Sequence, residues 1–594
     1  MRGMRNLLLL AVLGLASLAS AAVKLTVDAA NGDKVGGERT FVVGVASPDE
    51  ITSVEFYIGD DLRDTDSSQP YEFRLDTLAE QEGPVKVSFA AYTSKGDTAK
   101  VTLDLVIDNE LGKGAPFFVA QAQAALSDSK WDVALTAGRV ALRIDPKLSS
   151  ARIAVARAYL GKNVLDSAQK FVEEVVAEEP KNIEALELLA GIRVRSAIMV
   201  TNRGGDKNAT LDLIRQTLAA AAAAQRSVYD LRLDAFGSIT NANRLNYADL
   251  ALRAGRYSLA ANTLRDVFRR DDRVAEVANR YVYALIRSSR WAEAARVMDV
   301  HQRRGTPDGV GQSLQAILAN YRGDTATATE AMRQAVVNGG ASMAVPTAQA
   351  YIFLREANFK DLRPVANRLS TDAGNTSVGN YYVAAALFQA NEFEPSRLRF
   401  ELAVLEDPAN VDMYLQKANQ AIAFSYQTGL SEDDKKFQRR SARVYFEVAL
   451  AANPSSFEAL SGLAIVDLLD GKPADAIPRA RAAVAAGPEY AAGHYVLSLV
   501  LSNSAQRAER AVIAQEAELA SAQAENRKAD VDRLTSEIKG NKAIAARLNA
   551  DTTAAIAAAG KFDTLNLDGA SIPDAFRAWN FFARFGRGAL LLYP

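Results

Sequence analysis

Apolar and polar residues alternate with a period of two between residues 22 and 110. The alternation is clearest in six stretches, which are residues 23–27, 41–45, 54–58, 71–75, 85–89 and 101–107. Successive side chains of a β-strand point to opposite faces, so each stretch predicts a strand with one buried face. Gly, Pro, Asp and Ser residues separate the stretches, as in turns between short strands. Residues 22–110 are therefore expected to form a small all-β sandwich.

The centre of this segment carries an ordered set of short motifs. They are Val54-Glu55-Phe56-Tyr57-Ile58, Asp60-Asp61, Asp64-Thr65-Asp66, Pro70-Tyr71-Glu72-Phe73 and Leu75-Asp76-Thr77. In this order the motifs resemble a bacterial Ig-like domain. Leu75 departs from the family, in which an aromatic residue commonly precedes this aspartate, but it keeps an apolar core position. The resemblance implies a spacer, or an accessory module for adhesion or carbohydrate binding.

The acidic residues of these motifs admit two interpretations. They are Asp60, Asp61, Asp64 and Asp66. Several carboxylates close together are what a calcium site requires. A calcium loop would also need a terminal bidentate Glu, which is missing, so a solvated hairpin loop is the favoured interpretation.

Small residues recur every 34 positions between residues 116 and 490. The recurring positions are Ala134 and Ala168, then Ala260, Ala294 and Ala328, then Ala442 and Ala476. Prolines share the period, as in the pairs Pro146 and Pro180, and Pro454 and Pro488. A small residue lets two helices approach closely, and a proline ends one helix pair before the next begins. The spacing resembles the tetratricopeptide (TPR) family, which implies an α-solenoid with interruptions at 183–255 and 411–440.

The predicted fold class is therefore mainly α, with a long helical C-terminal segment after the solenoid. Residues 491–560 are rich in Ala, Glu, Gln, Arg and Lys, which favours one long helix or a helical hairpin that turns at Gly540-Asn541. This segment is expected to cap the solenoid. The alternative is a protruding arm through which the protein forms a homo-oligomer.

The tail, residues 561–594, is aromatic. Pro573 fits the start of a helix that places Phe576 and Trp579 on one face, and Phe581 and Phe585 add a second stripe. Packing on the last helices is the favoured interpretation, and contact with a partner or with a membrane surface is the alternative.

The first residues indicate the compartment. Arg2 and Arg5 precede an apolar run that is too short to span a bilayer, and small residues follow up to Ala21. This pattern predicts a signal peptide over residues 1–21, hence secretion across the inner membrane to a periplasmic or cell-surface location. No later segment has the length of apolar residues that a membrane helix needs. The chain has no cysteine, which excludes disulfides, thiolate metal sites and a lipid-modified cysteine.

Composition and chemistry exclude several function classes. The net charge of -2 gives no support for binding nucleic acid. His301 and His494 are the only histidines, so neither a His-based metal centre nor a Ser-His-Asp arrangement is expected. His301 is expected at a solvated helix end, and His494 is expected in a packed or hydrogen-bonded position. We therefore expect no enzyme activity, no cofactor and no metal.

Arginines outnumber acids between residues 226 and 304. The candidate partner-binding residues are Arg253, Arg256, Arg269, Arg270, Arg273, Arg280 and Arg287, together with Phe581 and Phe585 of the tail. Arginines lined along one surface of a solenoid can grip carboxylate or phosphate groups with two hydrogen bonds each. The alternative is dispersed ion pairs with Asp249, Asp266, Asp271, Asp272 and Glu276.

These features predict an exported bacterial envelope scaffold that binds a protein or peptide partner through the solenoid. The alternative function is a cell-wall or surface-polysaccharide binding protein that uses the Ig-like module as its anchor.

Overall fold

The computed structural model describes residues 23–562, apart from residues 204, 341, 357 and 372–375. The predicted signal peptide and most of the aromatic tail, including Phe581 and Phe585, lie outside the described residues. The chain divides between Val175 and Val176 into two compact units.

The first unit begins with a two-layer β-sandwich, as the alternating pattern predicted. Its strands are β1 Lys24–Val27, β2 Lys34–Val35, β3 Glu38–Ala46, β4 Ile51–Ile58, β5 Asp61–Asp66, β6 Tyr71–Asp76, β7 Gly83–Thr93 and β8 Thr98–Ile107. One sheet has the order β1-β3-β6, and the other has the order β2-β8-β7-β4-β5. The strand pairs are antiparallel except for β2 with β8.

Four phenylalanines fill the space between the two sheets. Phe41 and Phe73 come from one sheet, and Phe56 and Phe89 come from the other. Each is at most 1% exposed. The ring centroids of Phe56 and Phe89 lie 5.1 Å apart, and those of Phe41 and Phe89 lie 5.4 Å apart. This cluster is the centre of the sandwich core, because the inward positions of both sheets meet there.

The acidic motif does not form a loop. Asp61, Asp64 and Asp66 lie on β5, which pairs with β4, so the interpretation as a hairpin loop was wrong for these three residues. The side-chain carboxylate of Asp66 accepts hydrogen bonds from the backbone N–H groups of Ser68 and Glu72, and these bonds lower its pKa. Asp66 therefore stabilises the end of this edge strand and the turn that follows it.

Four α-helices follow the sandwich, and the fourth crosses the boundary between the two units. They are α1 Ala115–Ser127, α2 Trp131–Ile144, α3 Ser149–Gly161 and α4 Leu165–Glu178. Arg139 on α2 forms ion pairs with Glu38 on β3 and with Asp76 at the end of β6. The sandwich and the first helix pair are therefore packed against each other.

The second unit is helical in its described part. Its helices are α5 Ile183–Arg203, α6 Lys207–Asp234, α7 Arg244–Arg253, α8 Tyr257–Arg270, α9 Ala275–Arg287, α10 Trp291–Arg304, α11 Gly309–Tyr321, α12 Thr325–Asn338, α13 Ala344–Arg355, α14 Phe359–Thr371, α15 Thr376–Gln389, α16 Phe393–Glu406, α17 Val411–Ser425, α18 Glu432–Ala452, α19 Phe457–Leu469, α20 Pro473–Ala486, α21 Ala491–Ala524 and α22 Lys528–Phe562.

The helix register is more regular than the sequence pattern. The second helix of each pair begins 34 residues after the previous one in five successive pairs, which start at Tyr257, Trp291, Thr325, Phe359 and Phe393. The last two pairs looked degenerate in the sequence because Leu362 and Ser396 replace the small alanine. Both side chains are buried, and the Ser396 hydroxyl donates a hydrogen bond to the carbonyl oxygen of Ala384. The TPR-like solenoid is thus confirmed, with different packing residues in the same backbone frame.

A left-handed residue recurs two positions before the second helix of a pair. Its members are Ser129, Asn163, Gly255, Ser289, Gly323, Asn391 and Gly471, all with positive φ. This conformation ends the first helix and turns the chain into the second, and glycine adopts it at the least cost.

Replacing Ser289 by glycine is expected to stabilise the second unit by about 1 kcal/mol. Ser289 has φ 62°, is 2% exposed, and its hydroxyl has no hydrogen-bond partner within the described structure. Glycine removes both the strain and the buried unpaired hydroxyl. The measurement is urea unfolding of the full chain. The matched control is S288G, which should lower stability because Ser288 has φ -94° and its hydroxyl bonds to Ala284. Equal effects of the two variants would contradict the prediction.

The C-terminal segment is a helical hairpin, but it turns earlier than expected. The chain reverses between α21 and α22 at Asn526, whose φ is 54°, and Gly540 lies inside α22. The prediction of a turn at Gly540-Asn541 was wrong because one glycine within a packed helix costs only about 1 kcal/mol. The start of α21 is buried in the core of the second unit, where Ala559 near the end of α22 packs with it.

Candidate binding site

The early helices of the second unit pack against its late helices. Arg226 on α6 donates a hydrogen bond from Nη1 to the carbonyl oxygen of Ala451 on α18, at 2.8 Å. Arg440 on α18 forms an ion pair of 2.6 Å with Asp212 on α6. These contacts join residues more than 200 positions apart. Helix α6, near the start of the second unit, is therefore in contact with α18, in its later part.

A cavity of about 780 Å³ lies where these helices meet. One wall comes from the end of α6, the turn between α7 and α8, and the end of α9. The other wall comes from the start of α15, the α16–α17 and α18–α19 turns, and the end of α20. Helix ends and turns thus form much of the lining, which places charged side chains and backbone groups beside apolar ones. We call this space the central cavity.

A buried ion pair joins the two walls of the central cavity. Arg287 on α9 lies 2.8 Å from Asp412 on α17, and each side chain is 12% exposed. The Nη2 atom of Arg287 also donates a hydrogen bond to the Tyr257 hydroxyl, and the guanidinium lies 4.6 Å from the Tyr257 ring centroid. Burial opposes the charge of Arg287, but Asp412 holds its pKa well above the usual value. Arg287 is therefore a permanent cation with a fixed partner.

Two further carboxylates line the central cavity without an ion pair to any described cation. Asp407 accepts hydrogen bonds from the Tyr229 hydroxyl and from the backbone N–H of Ala409. Glu458 accepts a hydrogen bond from the Ser456 hydroxyl at 3.2 Å. Burial raises the pKa of Asp407, and it raises the pKa of Glu458 to about 7. The wall formed by α16–α19 is therefore acidic and poorly compensated.

The structure brings together three of the predicted partner-binding arginines. Arg253, Arg256 and Arg287 line the central cavity. Arg256 is held by Asp230, with Nη2 and Oδ2 2.7 Å apart, whereas Arg253 is exposed and has no ion pair in the part of the chain that is described.

The remaining predicted arginines lie away from the central cavity. Arg269 and Arg270 end α8, Arg273 follows it, and all three are exposed. Arg280 pairs with Asp249 and Glu276, as the dispersed-pair alternative expected. The proposal that these four arginines and the two tail phenylalanines bind a partner stays a prediction.

Sequence reasoning missed the acidic side of the site. Glu458 follows the Asn453-Pro454 turn that the repeat pattern located, and Asp407 and Asp412 lie at the corresponding turn around Pro408. The pattern showed where the turns are. It did not show that both turns face the same interior space.

His301 differs from its predicted environment. It is fully buried, and its Nδ1 lies 2.8 Å from the carbonyl oxygen of Asp272, so the expectation of a solvated histidine was wrong. His494 is packed as expected, with Nε2 2.8 Å from the carbonyl oxygen of Pro488. Among the described residues, no group of His, Cys, Asp and Glu side chains is arranged to hold a metal. The helices within the same residues are all too short or too polar to cross a bilayer.

Comparison with known proteins identifies the first domain. Residues 24–88 match the family model of the bacterial Ig domain. The sandwich is a bacterial Ig domain. No curated protein matches the chain.

Solved structures similar to the helical part are distant. Yeast Tom70 is 11% identical, with a TM-score of 0.31 over 73% of this chain and 96% of its own. The APC/C heterotetramer Cut9–Hcn1 is 11% identical, with a TM-score of 0.34 over 78% and 96%. The C-terminal part of a TPR repeat-containing protein from Cytophaga hutchinsonii is 14% identical, with a TM-score of 0.21 over 41% and 95%. Similarity at this level says nothing about what this chain binds.

Proposed function

We propose that this protein is an exported scaffold of the bacterial envelope that binds a protein or peptide partner in the central cavity. The observation that carries the proposal is the cavity itself, whose volume of about 780 Å³ falls in the range of ligand-binding clefts. Its lining mixes apolar residues such as Leu252 and Phe457 with charged ones, which suits a peptide segment better than a purely apolar ligand. The export part rests on the N-terminal residues 1–21 and on the bacterial Ig domain.

Arg253 supplies an anchor for such a partner. Its side chain is exposed on the cavity wall, so it can pair with a carboxylate or a carbonyl group of a peptide without first breaking an internal ion pair. Arg256 and Arg287 are already paired and are expected to shape the wall.

Selection from a displayed peptide library tests the proposal with the full chain purified from the periplasm. We expect R253E to weaken binding of the selected peptides at least about tenfold, because a glutamate there repels the carboxylate or carbonyl oxygen of the peptide that Arg253 would hold, and losing such a hydrogen bond costs about 1.4 kcal/mol or more. The matched control is R269E, an exposed arginine outside the cavity, which should bind like the unchanged chain.

Three results would contradict peptide binding in the central cavity. They are a library with no selected peptide, equal losses in the two variants, and a glycan array that binds the chain regardless of R253E. The last result would favour the polysaccharide-binding alternative through the Ig domain. Recovery of the chain only from the cytoplasm, with residues 1–21 uncleaved, would contradict export.

A further inference from the structure

We propose that the central cavity is built for a basic peptide segment, with a cationic side chain seated against Asp407 and Glu458. This inference rests on the proposed function and names the class of peptide. It differs from the expectation drawn from the sequence, in which arginines would grip an acidic partner.

Among the described residues, the wall of the central cavity has more unpaired carboxylates than unpaired arginines. Three arginines of the wall are neutralised by carboxylates, in the pairs Arg287–Asp412, Arg256–Asp230 and Arg232–Glu187. The wall residues left without an ion pair in the described structure are one cation, Arg253, and three carboxylates, Glu406, Asp407 and Glu458. Counted together with the partners Asp230 and Glu187, the wall has four arginines and six carboxylates, so it carries an excess of negative charge and attracts cations once Glu458 is ionised.

Two of these carboxylates are partly removed from water, which favours a bound cation. Asp407 and Glu458 are partly buried, and the hydrogen bonds from Tyr229, Ala409 and Ser456 satisfy only some of their oxygen lone pairs. A carboxylate removed from water is costly unless a cation or a proton compensates it. A ligand cation supplies that compensation, so it binds more strongly here than at an exposed carboxylate.

The side-chain amide of Asn410 favours a peptide over a free amine as the ligand. Asn410 lines the same cavity and is 5% exposed. Its Oδ1 accepts a hydrogen bond from the backbone N–H of Asp412, but its buried Nδ2 has no hydrogen-bond partner among the described residues. An amide N–H group requires an acceptor. The backbone carbonyl of a peptide can provide one within the same cavity, which a simple diamine cannot.

The groups around Glu458 allow a test in the unchanged protein. Those that face it are Arg287, Asp412 and the phenol groups of Tyr257 and Tyr490. Because burial raises the pKa of Glu458 to about 7, this carboxyl loses its charge as the pH falls through neutrality. Binding of a cation should weaken over the same range, whereas lysine side chains keep their charge.

The experiment measures retention of three peptide pools by the full chain. The pools are random octapeptides that differ only at a fixed central residue, which is Lys, Gln or Glu. We expect the Lys pool to bind at least about tenfold more tightly than the Gln pool, since one compensated buried charge exceeds about 1.4 kcal/mol. Binding of the Lys pool should weaken from about pH 8 to about pH 6, and the variant E458Q should bind it more weakly and without this pH dependence.

The controls separate this inference from the proposed function. D433N alters an exposed acid on α18 outside the cavity and should leave the Lys preference unchanged. Preference for the Glu pool would overturn the inference while leaving peptide binding intact. Retention of 1,4-diaminobutane with no preference among the pools would overturn it as well. Retention of none of the pools would overturn the proposed function and this inference together.

Discussion

Replacing Phe89 by alanine is expected to destabilise the Ig domain by about 3 to 5 kcal/mol. Phe89 is fully buried, and its ring lies 5.1 to 5.7 Å from the rings of Phe56, Phe41 and Phe73. Removal of the ring loses its transfer free energy and leaves a cavity between two sheets that cannot collapse onto each other. A loss of this size is comparable to the whole stability of a small domain.

Hydrogen exchange of the full chain measures this effect, because strand amides within residues 24–107 report on the Ig domain alone. The control is V42A, next to Phe41 on β3, where the side chain is 43% exposed and the change should stay within about 0.5 kcal/mol. Unchanged exchange in F89A, or equal acceleration in both variants, would refute the central position of the phenylalanine cluster.

The sandwich was predictable because the pattern that marks each strand lies within the residues of that strand. Phe41, Phe56, Phe73 and Phe89 each occupy an inward position of a strand with period two, and a one-residue slip would expose the whole apolar set. The pattern therefore determines both the strands and the faces that meet. Two strands were missed. β2 has only two residues, and β5 is an acidic strand at a sheet edge that lacks the alternation marking the others.

The helical pairs were predictable wherever the small residue survives. Ala260 and Ala294 marked their helices correctly, whereas Leu362 and Ser396 make two pairs look degenerate in the sequence although the backbone keeps them in register. Close approach of two helices can be achieved by different residues if their neighbours adjust, so residue identity is a weaker signal than spacing. The left-handed residues before the second helices, such as Asn163 and Gly323, are a further signal that spacing alone could have used.

The central cavity could not be predicted for a different reason. Arg287 and Asp412 are 125 positions apart, and Arg226 and Ala451 are 225 apart. Each repeat pattern describes a helix with its neighbours, and contacts between early and late helices depend on small rotations accumulated over many pairs. The arginine-rich segment was visible in the sequence, but its partners were not.

Removing either member of the Arg287–Asp412 pair is expected to destabilise the second unit by about 3 to 5 kcal/mol. The variant R287M leaves Asp412 buried beside Glu458 without its cation, and D412L leaves Arg287 without its anion. The double variant R287M/D412L should recover most of the loss, because two apolar side chains need no compensating charge. Urea unfolding of the full chain measures all three. The control R333M removes a cation from an exposed pair with Glu330 and should show no measurable change.

This cycle also distinguishes two roles of the ion pair. If the pair only holds α9 and α17 together, the double variant should regain both stability and peptide binding. Arg287 has a second role if its positive charge also acts on Glu458 in the acidic wall. In that case the double variant should regain stability but bind the Lys pool differently from the unchanged chain. Additive losses of stability in the double variant would contradict a direct interaction between the two side chains. In that case the two walls of the central cavity would be held by the flanking contacts Arg440–Asp212 and Arg226–Ala451.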